Sequence, residues 1–513
     1  MPLDQPGTQV AKRVNVLIFS TFIAGVCSIV YELLIATTGA YFLGDSIKQF
    51  SLVIGFYMAT MGLGSYLSRL ISDKKLLRYF VSAEILLGLI GGLSVPLLYF
   101  SFAYFDYFQL TIIFLTSIIG LLIGLEIPLL SRLMSPYFVL KDNLSNVLSV
   151  DYLGALIATL LFPFLLLPFF GIFKSSLFFG LVNMSIGFSV LWFFSRSLKI
   201  EKKTTLYLYS FSALTILITA FLFSQKLLGL WTGEIYNDRV VYAKETPYQQ
   251  VVLTKSKDDV RLFLNGNLQF SSTDEYRYHE SLVHIPMLNC DCRNVLLLGG
   301  GDGLAIRELQ KYENIQSMTL VDLDPAVTAL AKSNAYISAL NNEAFEDEKL
   351  TVINEDAFVF LRNTERDFDL IIIDLPDPNN TALSRLYSRE FYRLVKNRLS
   401  ENGSFVTQAT SPFYATNAFW SIKETIVSAG YVDVVPYHTT IPSFGEWGFI
   451  LASKSRIDLD STKLPTSTKY VDAYAIERML YFEKDMRATD VEISTLDSPK
   501  VLGYYLDGWK HWK

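Results

Sequence analysis

Residues 14–225 carry apolar runs of about 20 residues, one after another, and no other feature constrains the fold as tightly. Runs of this length cross a bilayer as helices, because a helix satisfies its own backbone polar groups where water is absent. Seven spans are expected, at roughly 14–43, 50–71, 80–103, 109–134, 147–170, 173–195 and 205–225. The signal is too long and too often repeated for a cleaved leader. Pro128, Pro163 and Pro168 are placed to kink their helices. "GFYMATMGLG" and "GLIGG" supply small residues for close helix packing, so a bundle is expected. Basic residues fall in alternate connections: Lys12 and Arg13; Lys74, Lys75 and Arg78; Arg132 and Lys141; Arg196, Lys199, Lys202 and Lys203. The other connections hold Lys48, Lys174 and few others. This bias puts the N-terminus in the cytoplasm, and after seven spans the rest of the chain outside. Glu32, Glu84, Glu126 and Asp151 lie within or near the apolar segments. Carboxylates are costly in lipid, so they should face the bundle interior, as paired polar groups or as a path for a cationic solute.

Residues 234–513 read as an ordinary acidic soluble region in a chain of net charge -6. With no basic stripe, nucleic acid is not an expected partner. Of the three cysteines, Cys27 lies in the first apolar run. Cys290 and Cys292 form a lone Cys-x-Cys pair, expected to be structural: it completes no zinc site and should not bridge without strain. The expected organisation is a tail over 1–13, a bundle over 14–225, a linker over 226–239, a small β region over 240–292, and an α/β domain with a C-terminal extension over 293–513. "TPYQQVVLTKS" reads as a strand, and "DVRLFLNGNLQF" as two strands about an Asn-Gly turn. From residue 293 apolar strands alternate with amphipathic helices, the pattern of a mostly parallel sheet covered on both faces. Ligands of such sheets bind beyond the carboxyl ends of the strands.

Those ends are acidic. The first strand runs into "GGGDG" with Asp302, the second ends in "VDLD" with Asp322, and the third in "ED" with Asp356. The fourth ends in "DLPDP", with Asp374 and Asp377. One such aspartate is an ordinary helix cap. Five on one rim repel one another unless a cationic or hydroxyl-rich partner arrives. Gly299, Gly301 and Gly303 permit a tight turn with close approach of a cofactor. Leu304 stands where a dinucleotide fingerprint wants glycine, and no phosphate-binding lysine follows. Asp322 lies about twenty residues beyond the loop, where an acid accepts both ribose hydroxyls. Asp356 is placed for an adenine amino group. The pattern suits a nucleoside without phosphates, of the adenosylmethionine type. Asp302, Asp374 and Asp377 are then left for an ammonium or a sulfonium. Asp374, its pKa raised by its neighbours, is a general-base candidate that would make a substrate nitrogen nucleophilic.

"FLNGNLQFSSTDEYRYHESLVHIPM", "VLLLGGGDGLAIRE", "VDLD", "ED" and "IIIDLPDP", in this order, resemble the polyamine aminopropyltransferases, spermidine synthases above all, over about residues 240–455. The resemblance implies a Rossmann-like, methyltransferase-type domain behind a small antiparallel β region. It implies aminopropyl transfer from decarboxylated S-adenosylmethionine to putrescine or another di- or polyamine, giving a spermidine-type product and methylthioadenosine. By position, Asp374 resembles the catalytic proton acceptor, with Tyr278 beside it. Tyr278 and His279 resemble amine-site residues, and Asp302 and Asp377 the carboxylates that hold amines. Gln269 and Gln408 resemble pocket-lining polar residues. Gln249, Gly299, Gly301, Asp322, Asp356 and Ala357 fall at the nucleoside site. No prosthetic group and no metal are implied, and His279-Glu280-x-x-x-His284 lacks the zinc-protease spacing. A homodimer through the synthase domain is compatible with the resemblance.

The chain also departs from the family pattern. "LP" follows Asp374 where small hydroxyl residues are usual, and "NNTALSRLYS" follows the second Asp-Pro. In "IPSF", Phe444 replaces a tyrosine that lines the amine pocket, and Trp447 adds bulk. These changes spare the donor site and leave the acceptor amine open. The N-terminal half resembles that of multi-pass, synthase-like bacterial proteins, so the bilayer is an expected partner. Two rival readings are an S-adenosylmethionine methyltransferase acting on an amine or lipid, and a polyamine transporter or sensor. The charge bias conflicts with a donor made inside cells, and the side faced by the soluble half stays open.

Overall fold

The computed structural model describes residues 6–43, 46–194, 203–236, 238–510 and 512. Two compact units divide the chain: Met1–Val240 with Glu245–Pro247, and Val241–Lys244 with Tyr248–Lys513.

The first unit is helical. Its elements are α1 (Pro6–Leu43), α2 (Ser46–Leu67), α3 (Leu76–Tyr104), α4 (Phe108–Met134), α5 (Leu140–Leu161), α6 (Leu167–Phe194), α7 (Lys203–Leu222) and α8 (Ser224–Tyr236). Among the described residues six helices are long and apolar enough to cross a membrane. One of these, Leu140–Phe194, runs for 55 residues, far more than a bilayer needs. It comprises α5, a five-residue π-helical stretch and α6, and it breaks at Gly171, whose φ is 68°. The break falls between the expected spans 147–170 and 173–195. Where a linker was expected over 226–239, α8 fills most of the segment. Its apolar residues Leu227, Leu228 and Trp231 pack on the bundle, which gives a short helix the tertiary support it lacks alone. Helices α3 and α6 cross in near contact at Gly92 and Gly180: a Cβ on Gly92 would lie 2.9 Å from the Gly180 Cα. Dispersion and close backbone approach replace the hydrophobic drive that lipid removes.

The second unit contains the larger sheet and, apart from the ends of its first strand, the smaller one. The smaller joins β1 (Arg239–Glu245), β2 (Gln250–Ser256), β3 (Asp259–Leu264) and β4 (Asn267–Ser271) in that order. Asn265 and Gly266, at φ 50° and 75°, make the expected hairpin turn. Helix α9 (Glu275–Met287) leads to the larger sheet. Its strands are β5 (Asn294–Gly299), β6 (Ser317–Asp322), β7 (Leu350–Asn354), β8 (Phe368–Asp374), β9 (Leu399–Gln408), β10 (Asp433–Ile441) and β11 (Gly445–Ser453). They lie in the order β10-β11-β9-β8-β5-β6-β7. The run from β7 to β9 is parallel, and β11 and β10 are antiparallel additions. This is the Rossmann-like architecture expected. Chain order reverses between β5 and β8, which makes the crevice beyond their carboxyl ends the natural ligand site.

Strand β10, "DVVPYHTTI", was not anticipated, because proline argues against a central strand. It lies at the edge, where Pro436 loses no ladder bond that the sheet requires.

The expectation for Cys290 and Cys292 is corrected. They form a disulfide, with Cα atoms 5.2 Å apart. The chain turns as it leaves α9, and this brings a pair two residues apart within bridging distance. Cys27 is free and buried.

Candidate active site

Crowding begins in the glycine loop after β5. A Cβ on Gly299 would sit 2.0 Å from the Asp374 carbonyl oxygen, and one on Gly301 would sit 2.5 Å from Asp322 Oδ2. Glycine is therefore what lets two acidic strand ends close on the loop. The loop also satisfies part of that charge: the Gly301 N–H donates to Asp322 Oδ2 at 3.1 Å, and the Leu304 N–H to Asp302 Oδ1 at 2.9 Å. Helix α10 (Leu304–Leu309) follows.

Tyr278 on α9 donates its phenol proton to Asp374 Oδ1 at 2.5 Å. Asp374 ends β8 with only part of its side chain reaching solvent. Burial raises its pKa to about 6, helped by the Asp302 charge and opposed by His279 and by the Tyr278 hydrogen bond. Burial likewise pushes Asp302 up and lifts Asp322 to about 6. Three carboxylates thus share one low-dielectric rim and hold their protons unusually well.

His279 is a cationic group set among them. Its Nδ1 lies 2.8 Å from Glu275 Oε2, and Glu275 is gripped by both terminal nitrogens of Arg307 at 2.9 Å. Burial lowers the His279 pKa, but the Glu275 bond and charge, with Asp302 and Asp374, outweigh it and hold the value at about 8. The imidazolium is therefore the resting form at neutral pH. Neither Glu275 nor Arg307 was singled out in the sequence. The available signal was the i, i+4 spacing of Glu275 and His279 on α9. Glu275→Gln is expected to lower the His279 pKa from about 8, because the largest opposition to burial is removed and only the Asp302 and Asp374 charges remain to hold it up. With four histidines in the chain, an imidazole NMR titration can read this directly.

The remaining expected residues divide. Asp377 accepts from the Thr410 hydroxyl at 3.4 Å and meets the phenol of Tyr505, from the helix Lys500–Trp509. Tyr505 was missed, since nothing near it in sequence points to the rim. Gln249 donates to Asp324 Oδ2 at 3.1 Å, two residues beyond Asp322. Ala357 begins the helix Ala357–Asn363, and Asp356 caps it by accepting from the Phe358 and Val359 N–H groups at 3.0 and 3.1 Å. The other Asp356 oxygen pairs with Arg385, so an adenine amino group would have to share or displace that contact. Gln408 is buried and donates to the Leu375 carbonyl at 2.6 Å and to Tyr387; it props up the Asp374–Asp377 turn. Gln269 donates to the Asn267 carbonyl of its own strand at 3.1 Å, away from the acidic rim's hydrogen bonds.

An aromatic wall stands beside Tyr278. The Phe444 ring centroid is 6.3 Å from that of Tyr278, and Trp447 is 5.3 Å from Phe444. The Trp447 Nε1–H is buried without a hydrogen-bond partner.

Glu280, His284 and Glu308 bring one ligand atom each within 4.8 Å of one another. All three are already engaged. Glu280 accepts the N–H groups of Lys469, Tyr470 and Val471, and His284 bridges Glu308 and Tyr312. Glu308 also pairs with Arg307 and Lys311. The cluster serves as internal bracing.

Residues 275–462 match the spermine/spermidine synthase domain family. The polyamine aminopropyltransferase of Leptospira interrogans is 41% identical over 502 residues, 98% of this chain and 99% of that one. That of Oceanobacillus iheyensis is 38% identical over 512 residues, 98% of this chain and 99% of that one. The solved spermidine synthase of Thermotoga maritima is 27% identical, with a TM-score of 0.44 over 48% of this chain and 85% of that one. The full-length relatives match across the apolar half as well as the α/β half, and on that likeness the chain belongs to the polyamine aminopropyltransferase family.

Proposed function

We propose that the protein moves the aminopropyl group of decarboxylated S-adenosylmethionine to putrescine or a closely related diamine, with Asp374 as general base. The observation that carries this reading is the Tyr278–Asp374 hydrogen bond on a rim shared with Asp302 and His279. Asp374 takes a proton from the substrate ammonium, and the freed lone pair attacks the carbon beside the sulfonium. The C–N bond forms as the C–S bond breaks, and methylthioadenosine leaves as a neutral thioether. Two cationic reactants thereby yield one cationic product, a neutral thioether and a proton held by Asp374. Placement and preorganised charge supply most of the acceleration. Asp322 and Gln249 flank the position for the donor's ribose, and Asp302 and Asp377 that for the acceptor's ammonium groups.

The aromatic wall argues for an aliphatic acceptor, whose methylenes pack on rings while its charged ends meet carboxylates. Phe444→Tyr adds a hydroxyl that can accept from an ammonium. It is expected to lower the KM for putrescine by about tenfold with kcat little changed, as read by steady-state kinetics. The deciding assay offers the purified full chain decarboxylated S-adenosylmethionine or S-adenosylmethionine with a panel of amines, with products detected by mass. An aminopropylated diamine plus methylthioadenosine supports the reading. A methylated product, or binding without turnover, would replace it with a methyltransferase or a sensor.

A further inference from the structure

The helical unit holds a polar cluster that the transfer reaction does not use. Glu84 on α3 and Asn183 on α6 are fully buried, and Glu126 on α4 is 3% exposed. The Asn183 Nδ2–H group donates to Glu84 Oε2 at 2.9 Å and to the Glu84 carbonyl at 3.0 Å. The Glu84 and Glu126 carboxyl groups lie within hydrogen-bonding reach of each other. Yet Glu84 Oε1, Glu126 Oε1 and Asn183 Oδ1 are all buried without a hydrogen-bond partner. Cys27 and Tyr31 of α1 border the same acids.

Two further carboxylates lead toward this point. Asp151 of α5 acts electrostatically on Glu126, and Tyr57 of α2 sits in the field of Glu32, Glu126 and Asp151. Glu32 and Asp151 are half-buried, whereas Glu84 and Glu126 are buried. Among the described residues no Lys, Arg or His pairs with any of the four. Carboxylates in an apolar bundle without a countercharge are expensive, and two in contact more so. Such a pair is relieved either by a shared proton or by a bound cation.

We propose that Glu84, Glu126 and Asn183 form a binding site for a protonated primary amine inside the helical bundle, approached past Glu32 and Asp151. An ammonium group has three N–H donors and no acceptor, matching three unpartnered oxygens. A diamine's second ammonium would then lie toward Asp151. The choice of an amine over an alkali ion rests on the aminopropyl-transfer reading; the three buried, unpartnered oxygens do not.

The test uses the full chain in phosphatidylcholine nanodiscs without any aminopropyl donor. Dicyclohexylcarbodiimide modifies buried carboxyl groups, and peptide mass spectrometry locates the adducts. Putrescine is expected to protect Glu84 and Glu126 from modification, while sodium or potassium chloride at equal ionic strength leaves them reactive. Equilibrium dialysis with labelled putrescine should find two equivalents on the wild type and one on Glu126→Gln, with aminopropyl transfer retained by that variant. Absence of protection, equal protection by the alkali salts, or two equivalents retained by Glu126→Gln would overturn the proposal. The labelling arm needs no variant to fold. It is also independent of turnover, so a chain that transfers no aminopropyl group can still show protection, and the two readings fail separately.

Discussion

Asp374→Asn is expected to lower kcat for aminopropyl transfer by about 10²–10⁴-fold, the usual worth of a positioned general base. The amide keeps the size of the carboxyl and can still meet Tyr278, so KM for the donor should move little. The wild-type profile of kcat/KM should fall below pH 6, because the Asp374 pKa stands at about 6 and only the ionised form accepts a proton. The same group has a stability signature of opposite sense. Folded, it holds its proton up to about 6, against an ordinary value of 3.8. Its favourable contribution is complete below 3.8 and is lost as pH rises through about 6. The ligand-free Asp374→Asn variant should therefore melt higher than the wild type at neutral pH, with the gap closing once both states are protonated. A variant that keeps wild-type turnover removes Asp374 from the proton-transfer step. One that melts no higher at neutral pH shows that burial of its charge is already compensated.

Gly299→Val should be the most damaging single change outside the chemistry, costing about 3 kcal/mol or more through backbone strain and collision. Gly299 sits at φ 82°, where a β-branched residue is strained, and its Cβ would meet the Asp374 carbonyl oxygen at 2.0 Å. That oxygen belongs to strand backbone, so it cannot swing aside as a side chain would. Gly266→Asn is the matched control. Gly266 is also at positive φ, 75°, but a Cβ there meets nothing within 4 Å, and asparagine tolerates the left-handed region. Thermal unfolding of both variants should separate collision from conformational preference: a large loss for Gly299→Val and almost none for Gly266→Asn. Similar losses in the two would mean that the loop has room to move away from β8.

Much of this architecture was readable along the chain because it depends on local pattern. Apolar runs of bilayer length marked the helical half, and the gap between the expected spans 147–170 and 173–195 falls on the break at Gly171. Alternating strands and helices marked the parallel sheet, and the acids at strand ends marked its acidic rim. The misses have equally physical causes. Helix α8 lies where a linker was expected because packing on the bundle, which local propensity does not report, stabilises it. Strand β10 was hidden by Pro436, which only an edge position excuses. The cysteine pair bridges because of how the chain turns after α9, a matter of backbone path.

By itself the sequence determined which residue types could meet a cationic ligand and at which strand ends they would stand. Period, spacing and the glycine loop suffice for that, since strand ends follow from where apolar runs stop. Only the tertiary structure decided what charge each group carries and what it touches. Arg307 orients Glu275, Glu275 keeps His279 protonated, and His279 in turn tempers Asp302 and Asp374. Tyr505 reaches Asp377 from the last helix, and Glu84 meets Glu126 from separate membrane-type helices. Electrostatic energies depend on distance through space and on burial, and neither is a property of spacing along a chain.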